Sequence, residues 1–318
     1  MTRHWTGRCG LGIAMVAGAA GVAGSAGAGD LYVAANAGQI WHFDTATGTM
    51  DSPVSCGATV EGLALQGRDV LAASTDGTIY RIDLDTGAFE DFYPVDGQPL
   101  SLARWGNTLY LTTVNGDMQW LNADDGSVID TYYVHDALQA TMLFGNRIFT
   151  GSHSTAVYAS PVGEMDFQFF TACGGSVNSI TTNGVDVVIG ALQGTVYIYD
   201  ATHGGYKGTW NVQSDCVGVA FVDDRLFIAG SDGKIHRMNL DNGAIEQTYN
   251  TGMAITAVVA AEACAADFNG DGAINTLDFL AFLNAWNSRD GSADFDGNGA
   301  INTQDVLVFL NAYTAGCE

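Results

Sequence analysis

Short apolar runs alternate with polar turns along most of the chain, and the alternation keeps a fixed period. β-rich runs recur at Leu31-Tyr-Val33, Val70-Leu-Ala72, Leu109-Tyr-Leu111, Ile148-Phe-Thr150, Val187-Val-Ile189 and Leu226-Phe-Ile228. A turn glycine follows at multiples of 39 residues, at Gly38, Gly77, Gly116, Gly194 and Gly233, with Thr155 in the vacant phase. The segments after it match, as in Gly77-Thr-Ile-Tyr-Arg-Ile-Asp83 and Gly194-Thr-Val-Tyr-Ile-Tyr-Asp200. Second turn glycines lie ten residues further on, at Gly48, Gly87, Gly126, Gly204 and Gly243. Each period therefore predicts several short strands joined by tight turns, with no long helix. Four-strand repeats of this length predict propeller blades, and either strand set counts six.

The phase of the two ends predicts how the ring closes. The first period opens on the second strand of a blade, at Leu31, and the sixth is followed by an extra run, Ala254–Ala261. That run aligns with the innermost strands beginning at Val60, Pro99, Val177 and Cys216. The expected fold is mainly β: a six-bladed β-propeller over residues 30–262, closed by strand exchange. Closure of this kind leaves only short, protected edges. The repeat is similar to those of pyrroloquinoline-quinone-type and WD-repeat-like propellers, with Asp76-Gly77-Thr-Ile-Tyr-Arg-Ile-Asp-Leu-Asp-Thr86-Gly87 as the nearest match. The quinoprotein enzymes of that group place a tryptophan after the Thr-Gly turn, and this chain has none there. The resemblance implies fold and leaves function open.

Residues 1–28 predict a secretory signal. Arg3 and Arg8 precede an uncharged run, Leu11–Ala28, that exits through Ala26-Gly27-Ala28. A membrane anchor is the competing reading of that run, and its five glycines weigh against it. No later run is apolar and long enough to span a bilayer. Composition narrows the partners. With 35 acidic and 11 basic residues, the net charge of −24 argues against nucleic acid and against anionic lipid. The ring shows no nucleophile elbow, zinc-protease motif or phosphate loop. His42 and His236 sit in strands that pack between blades and read as structural. The turn acids beside glycine read as groups that hydrogen-bond their own turns. The fourth blade departs from the pattern at Ser152-His-Ser-Thr155 and Ser160-Pro161-Val-Gly-Glu164, through drift or through a ligand contact. Cys56 and Cys173 lie three periods apart, on opposite sides of the ring and too far apart to bond.

The carboxyl end carries a different chemistry. Asp267-Phe-Asn269-Gly-Asp271-Gly-Ala273-Ile274-Asn275-Thr-Leu-Asp278 recurs 27 residues later as Asp294-Phe-Asp296-Gly-Asn298-Gly-Ala300-Ile301-Asn302-Thr-Gln-Asp305. Both are twelve-residue calcium loops of the EF-hand type, with side-chain oxygens at positions 1, 3, 5, 9 and 12 and a backbone carbonyl, of Ala273 or Ala300, at position 7. Each leads into an apolar-periodic helix, in which Leu280, Leu283, Leu307 and Leu310 are expected to build a shared core.

Two such loops, with Asp at position 12 and one helix after each, resemble a dockerin domain over residues 264–318, small and all-α. Cys264 and the terminal Gly316-Cys317 bracket it, as in the bacterial variety that ends in Gly-Cys. The resemblance implies two calcium ions, a cohesin-like partner, and partner choice by Thr276, Leu277, Thr303 and Gln304. With export it further implies that Cys264 and Cys317 are joined as a disulfide. The combined expectation is a secreted, extracellular or cell-surface binding or scaffold protein, non-catalytic, whose propeller meets a ligand or protein that the sequence does not name. A carbohydrate-active enzyme of polysaccharide catabolism on the same scaffold, and a purely structural protein, stand beside it as alternatives.

Overall fold

The computed structural model describes residues 30–261, apart from 37, 67–68, 84–85, 134–136, 145, 165 and 223–224. In the C-terminal segment it describes residues 266, 268, 274–290, 293, 295 and 301–315. The proposed signal segment, residues 1–28, lies outside the described residues.

Six antiparallel sheets follow one another along the chain, one per 39-residue period. Blade 2 shows the plan: Val60–Gln66 innermost, then Asp69–Ser74, Thr78–Asp83 and Phe89–Pro94 outermost. Second strands are nearly continuous apolar runs because both faces of each blade are covered by neighbouring blades. Leu31, Val33, Val70, Leu71, Leu109, Leu111, Val187, Ile189, Leu226 and Ile228 are all fully buried. Each such Val, Leu or Ile contributes about 1.5–3 kcal/mol through removal from water. Outer strands face solvent instead, as in Val128–Tyr133 and Ile245–Asn250.

Ring closure follows the phase of the ends. Ile255–Ala260 pairs antiparallel with Asp30–Ala35 and becomes the innermost strand of blade 1. Five residue pairs join them, from Leu31 opposite Ala260 to Ala35 opposite Ile255. In the same blade the outer strand is split into Thr49–Met50 and Val54–Ser55, with Pro53 between them removing a ladder donor.

Blades converge on the axis, so the contact residues there are small. Gly62, Ser101, Ala140, Ser179, Gly218 and Ala257 occupy one phase of the repeat. A Cβ on Gly62 would lie 2.9 Å from Ser101 Cα, and one on Gly218 would lie 2.5 Å from Val258 Cγ2. The two serines also bridge neighbouring blades: Ser101 Oγ accepts from Thr141 N, and Ser179 Oγ from Val219 N, both at 2.9 Å.

At the outer turns, Asp44 Oδ1 accepts from the backbone of Ala46 and Thr47 at 2.8 and 2.9 Å, and Asp200 and Asn239 repeat the arrangement. Those backbone donors hold the Asp44 and Asp200 carboxyls below their ordinary range. The group that serves the turn stands four positions before the turn glycine, as Asp44 does before Gly48 and Asp200 before Gly204. The outer strand of each of three blades covers the next turn: an added Cβ at Gly126, Gly243 or Gly48 would stand 2.1, 2.1 or 2.4 Å from Tyr93, Trp210 or Tyr249.

Blade 4 keeps the turn geometry without the usual residues. Thr155 adopts φ 81, matching Gly77 at φ 81 and Gly233 at φ 78. Pro161 replaces the turn acid, and its carbonyl accepts from Glu164 N at 3.2 Å and from Ser160 Oγ at 3.1 Å. Cys56, Cys173 and Cys216 are buried free thiols. Cys56 and Cys173 Sγ each donate to the carbonyl of the turn residue 18 positions earlier, Gly38 at 3.4 Å and Thr155 at 3.5 Å. Burial pushes Cys216 up to about 12, which makes it unreactive near neutrality.

Candidate functional site

The C-terminal segment forms two equal helices, α1 (Thr276–Ser288) and α2 (Thr303–Ala315). The last residues of each loop double as helix caps. Asn275 Oδ1 accepts from Leu277 N at 2.8 Å, while Asn275 N donates to Asp278 Oδ2 at 2.8 Å. Asn302 and Asp305 repeat this, with Gln304 N to Asn302 Oδ1 at 2.8 Å and Asn302 N to Asp305 Oδ2 at 2.7 Å. Reciprocal caps of this kind satisfy orphan N–H groups at each helix start. Asp278 and Asp305 are completely buried, an unusual position for carboxylates. Carboxylate and carboxamide oxygens at these positions fit a hard cation such as calcium. The other expected ligands, Asp267, Asn269, Asp271, Ala273, Asp294, Asp296, Asn298 and Ala300, lie outside the described residues. So do Cys264 and Cys317.

The core between the helices differs from the expectation. Leu280 and Leu307 are 53% and 55% exposed and do not pack inside. Burial of Asp278 and Asp305 fixes the helix rotation, and the next inward positions, one turn on, are Phe282 and Phe309. These two rings stack at 4.2 Å between centroids and 2° between planes. Phe268, Phe279, Phe295, Leu283 and Ile301 pack around them. The second half is tied to α1 through Trp286 Nε1, which donates to Asn302 O at 2.9 Å, and Arg289, which donates to Ile301 O at 2.8 Å. Thr276, Leu277, Thr303 and Gln304 are exposed. They continue along each helix into Leu280 and Leu307, so each helix presents an uncovered stripe of mixed character.

In the ring, the six innermost strands enclose a cavity of about 470 Å³ on the axis. Each strand slips register at the same place: between Val60 and Gly62, Leu138 and Ala140, Val177 and Ser179, Cys216 and Gly218, and likewise opposite Thr112/Thr113 and Ala34/Ala35. The skipped residues are Glu61, Leu100, Gln139, Asn178, Val217 and Thr256, which again share one phase of the repeat. A β-bulge breaks the alternation of a strand and re-aims a side chain. Here it does so six times, at the mouth on the side of the repeat glycines, and the first five of these residues line the cavity. The opposite mouth is mostly apolar, with Leu65, Leu143 and Phe221 beside Arg104 and Thr182. Glu61 is the one carboxylate among the described lining residues. Burial raises its pKa. Two carboxylates across a cleft, which glycosidases use, are therefore not assembled in this cavity among the described residues. Sequence reading missed the bulged ring, although its phase was available in the 39-residue period.

A charged ladder crosses the outer part of several blades. In blade 1, His42 Nε2 meets Asp30 Oδ2 at 2.9 Å and His42 Nδ1 meets Asp51 Oδ2 at 2.8 Å. The bond to Asp30 raises the His42 pKa above its ordinary value; burial opposes it and Asp51 reinforces it. Equivalent positions hold Asp69 with Arg81 at 2.5 Å, Lys207 with Asp186 at 2.5 Å, and Arg237 with Glu246 at 3.2 Å. His236, buried with Nδ1 2.9 Å from Thr248 Oγ1, has its pKa lowered by burial. Both histidines are structural.

Comparisons with known proteins return one family model for each of these two regions. Residues 13–249 match the family model described as outer membrane protein assembly factor BamB. Residues 265–312 match the model of the type I dockerin domain. A crystal structure of the computationally designed Ika8 protein is 18% identical, with a TM-score of 0.51 over 71% of this chain and 73% of that one. A chain from the crystal structure of a nidogen/laminin complex is 12% identical, with a TM-score of 0.67 over 74% of this chain and 98% of its own. At these identities the two structures attest to the propeller fold alone. No curated protein matches the chain. Among the described residues no helix is long and apolar enough to cross a membrane.

Proposed function

Since the chain belongs to the propeller family described as outer membrane protein assembly factor BamB and carries a type I dockerin segment, we propose that it is a non-catalytic binding module of an exported assembly. The dockerin segment attaches the protein to a cohesin-like partner, and the ring presents a ligand site. The observation that carries this reading is the doubled helix start, Asn275/Asp278 and Asn302/Asp305, within residues that match the dockerin model. Two calcium ions, one per loop, are held by the twelve positions read from the sequence. Without them the loops' carboxylates would repel, so metal binding supplies folding free energy to a small core. Thr276, Leu277, Thr303 and Gln304, with Leu280 and Leu307, form the surface that meets the partner. Cys264 and Cys317 are joined in the exported protein, which intact-mass measurement before and after reduction reads directly.

The single bulge carboxylate supports binding over polysaccharide cleavage, because general acid and base or nucleophile need a pair. The test is capture of the full chain on immobilised type I cohesin modules, with calcium and with chelator. Capture with calcium and release by chelator is the expected result. Equal retention in both buffers, or none in either, would overturn the docking reading.

A further inference from the structure

The six bulge residues make a mouth with a definite chemistry. Around the ring their order is Thr256, Glu61, Leu100, Gln139, Asn178 and Val217, one per blade. On a six-blade ring, positions three blades apart are diametrically opposed. Leu100 therefore faces Val217 across the axis, Glu61 faces Asn178, and Gln139 faces Thr256.

Some of the polar atoms are already engaged. Thr256 Oγ1 donates to Val60 O at 2.5 Å, and Asn178 Nδ2 donates to Cys216 O at 3.2 Å. Neither Glu61 nor Gln139 has a hydrogen-bond partner among the described residues. The mouth is left with one carboxyl, one complete carboxamide and the Asn178 carbonyl oxygen. Thr141 Oγ1, buried and unpartnered, lies one layer further in and also lines the cavity. Beyond it Ala64, Met142 and Val259 alternate with Thr181, and Arg104 and Thr182 stand at the far mouth.

Each ligand class meets this set differently. An anion would find a carboxyl and no cation at this mouth, in a chain of net charge −24. An ammonium group would satisfy Glu61 and Asn178 Oδ1 but leave both Gln139 N–H groups and the apolar pair unmatched. Hydroxyl groups donate and accept, so they answer the carboxyl, the carboxamide and the lone carbonyl together. A sugar ring also has C–H faces that suit Leu100 and Val217.

We propose that this mouth binds a pyranose ring of a neutral glycan, with its hydroxyl edge on Glu61, Gln139 and Asn178 and its C–H faces between Leu100 and Val217. This rests on the reading of the ring as a binding module and is independent of the dockerin. The experiment is calorimetric and saturation-transfer titration of the full chain with glucose, galactose, mannose, xylose and neutral tetrasaccharides. Glucuronate and butylammonium serve as charged probes. At least one neutral sugar should bind saturably and outcompete both charged probes. Gln139→Leu should weaken it roughly tenfold, as loss of a hydrogen bond in a desolvated site implies. Leu143→Ala, at the opposite mouth, should leave affinity unchanged, and thermal melts of both variants report that the ring stays folded. Absence of binding by every neutral sugar, tighter binding of butylammonium, or an unaltered affinity in folded Gln139→Leu would each overturn the assignment. Release of sugar from the tetrasaccharides would overturn the non-catalytic reading instead and leave the ligand class standing.

Discussion

Gly77 and Gly233 share a backbone conformation and differ in the space beside them, so alanine at each separates two costs. Their φ angles are 81 and 78. At either, a side chain in the left-handed region costs about 1–2 kcal/mol, partly offset by about 0.4–1 kcal/mol from the stiffer unfolded chain. A Cβ on Gly77 would find its nearest atom, Gly97 O, at 3.6 Å, whereas on Gly233 it would stand 2.3 Å from Met253 O. Met253 O is backbone, so the loop must move, and forced overpacking of this kind adds about 1–3 kcal/mol. Gly77→Ala should therefore cost about 1 kcal/mol and Gly233→Ala about 2–4 kcal/mol. In a ring of this size each kcal/mol moves Tm by about 2–4 °C. Urea and thermal unfolding of both variants measure the gap. Equal losses would show that the approach of the Met253 carbonyl does not select glycine, and would refute the steric reasoning. Thr155 holds the same left-handed conformation, at φ 81, without being glycine. Thr155→Gly should raise Tm by a few degrees.

Three further outcomes are expected. His42 has a raised pKa, so its contribution to stability is full below about 6.5, the unfolded value, and is lost as pH rises through the higher folded value; His42→Gln should flatten the pH dependence of urea midpoints across that window. Chelation of calcium should change Trp286 fluorescence together with helical circular dichroism, because Trp286 is bonded to the second loop through Asn302 O at 2.9 Å; a Trp286 signal indifferent to chelator would separate the loops from the helix pair. Truncation after Gly252 removes the inner strand of blade 1 and should abolish cooperative unfolding of the ring; a melt like that of the full chain would refute closure by strand exchange.

The fold was legible wherever one residue type serves one purpose in every blade. Turn glycines, apolar second strands and the displaced last strand all carry a period, and counting it yields six sheets and their closure. The bulged ring was hidden because its six residues share geometry and differ in chemistry: Glu61, Leu100 and Thr256 look unrelated until the register is known. The helix pair was misjudged for another reason. Leucine spacing suggested an inward stripe, but the buried Asp278 and Asp305 turn the helices so that Phe282 and Phe309 stack and Leu280 and Leu307 stay out. The rotation is set by polar residues whose role does not appear in an apolar pattern.

The exchanged strand would also set how a pull on the ring is shared, if both proposed attachments hold. Its bulge residue, Thr256, lies at the polar mouth, and the chain leaves the ring at the other end of the strand, where Ala261 N bonds to Asp30 O at 2.9 Å. A weight hung at the polar mouth and a tether attached beyond Ala261 would pull in opposite directions along the axis. The innermost strand lies along that line, so its five pairings with Leu31–Ala35 would be strained together in shear and would not open one at a time. Under such a pull the joint that completes the circle would also bear the tension, placed where a sideways peel cannot start from an outer edge.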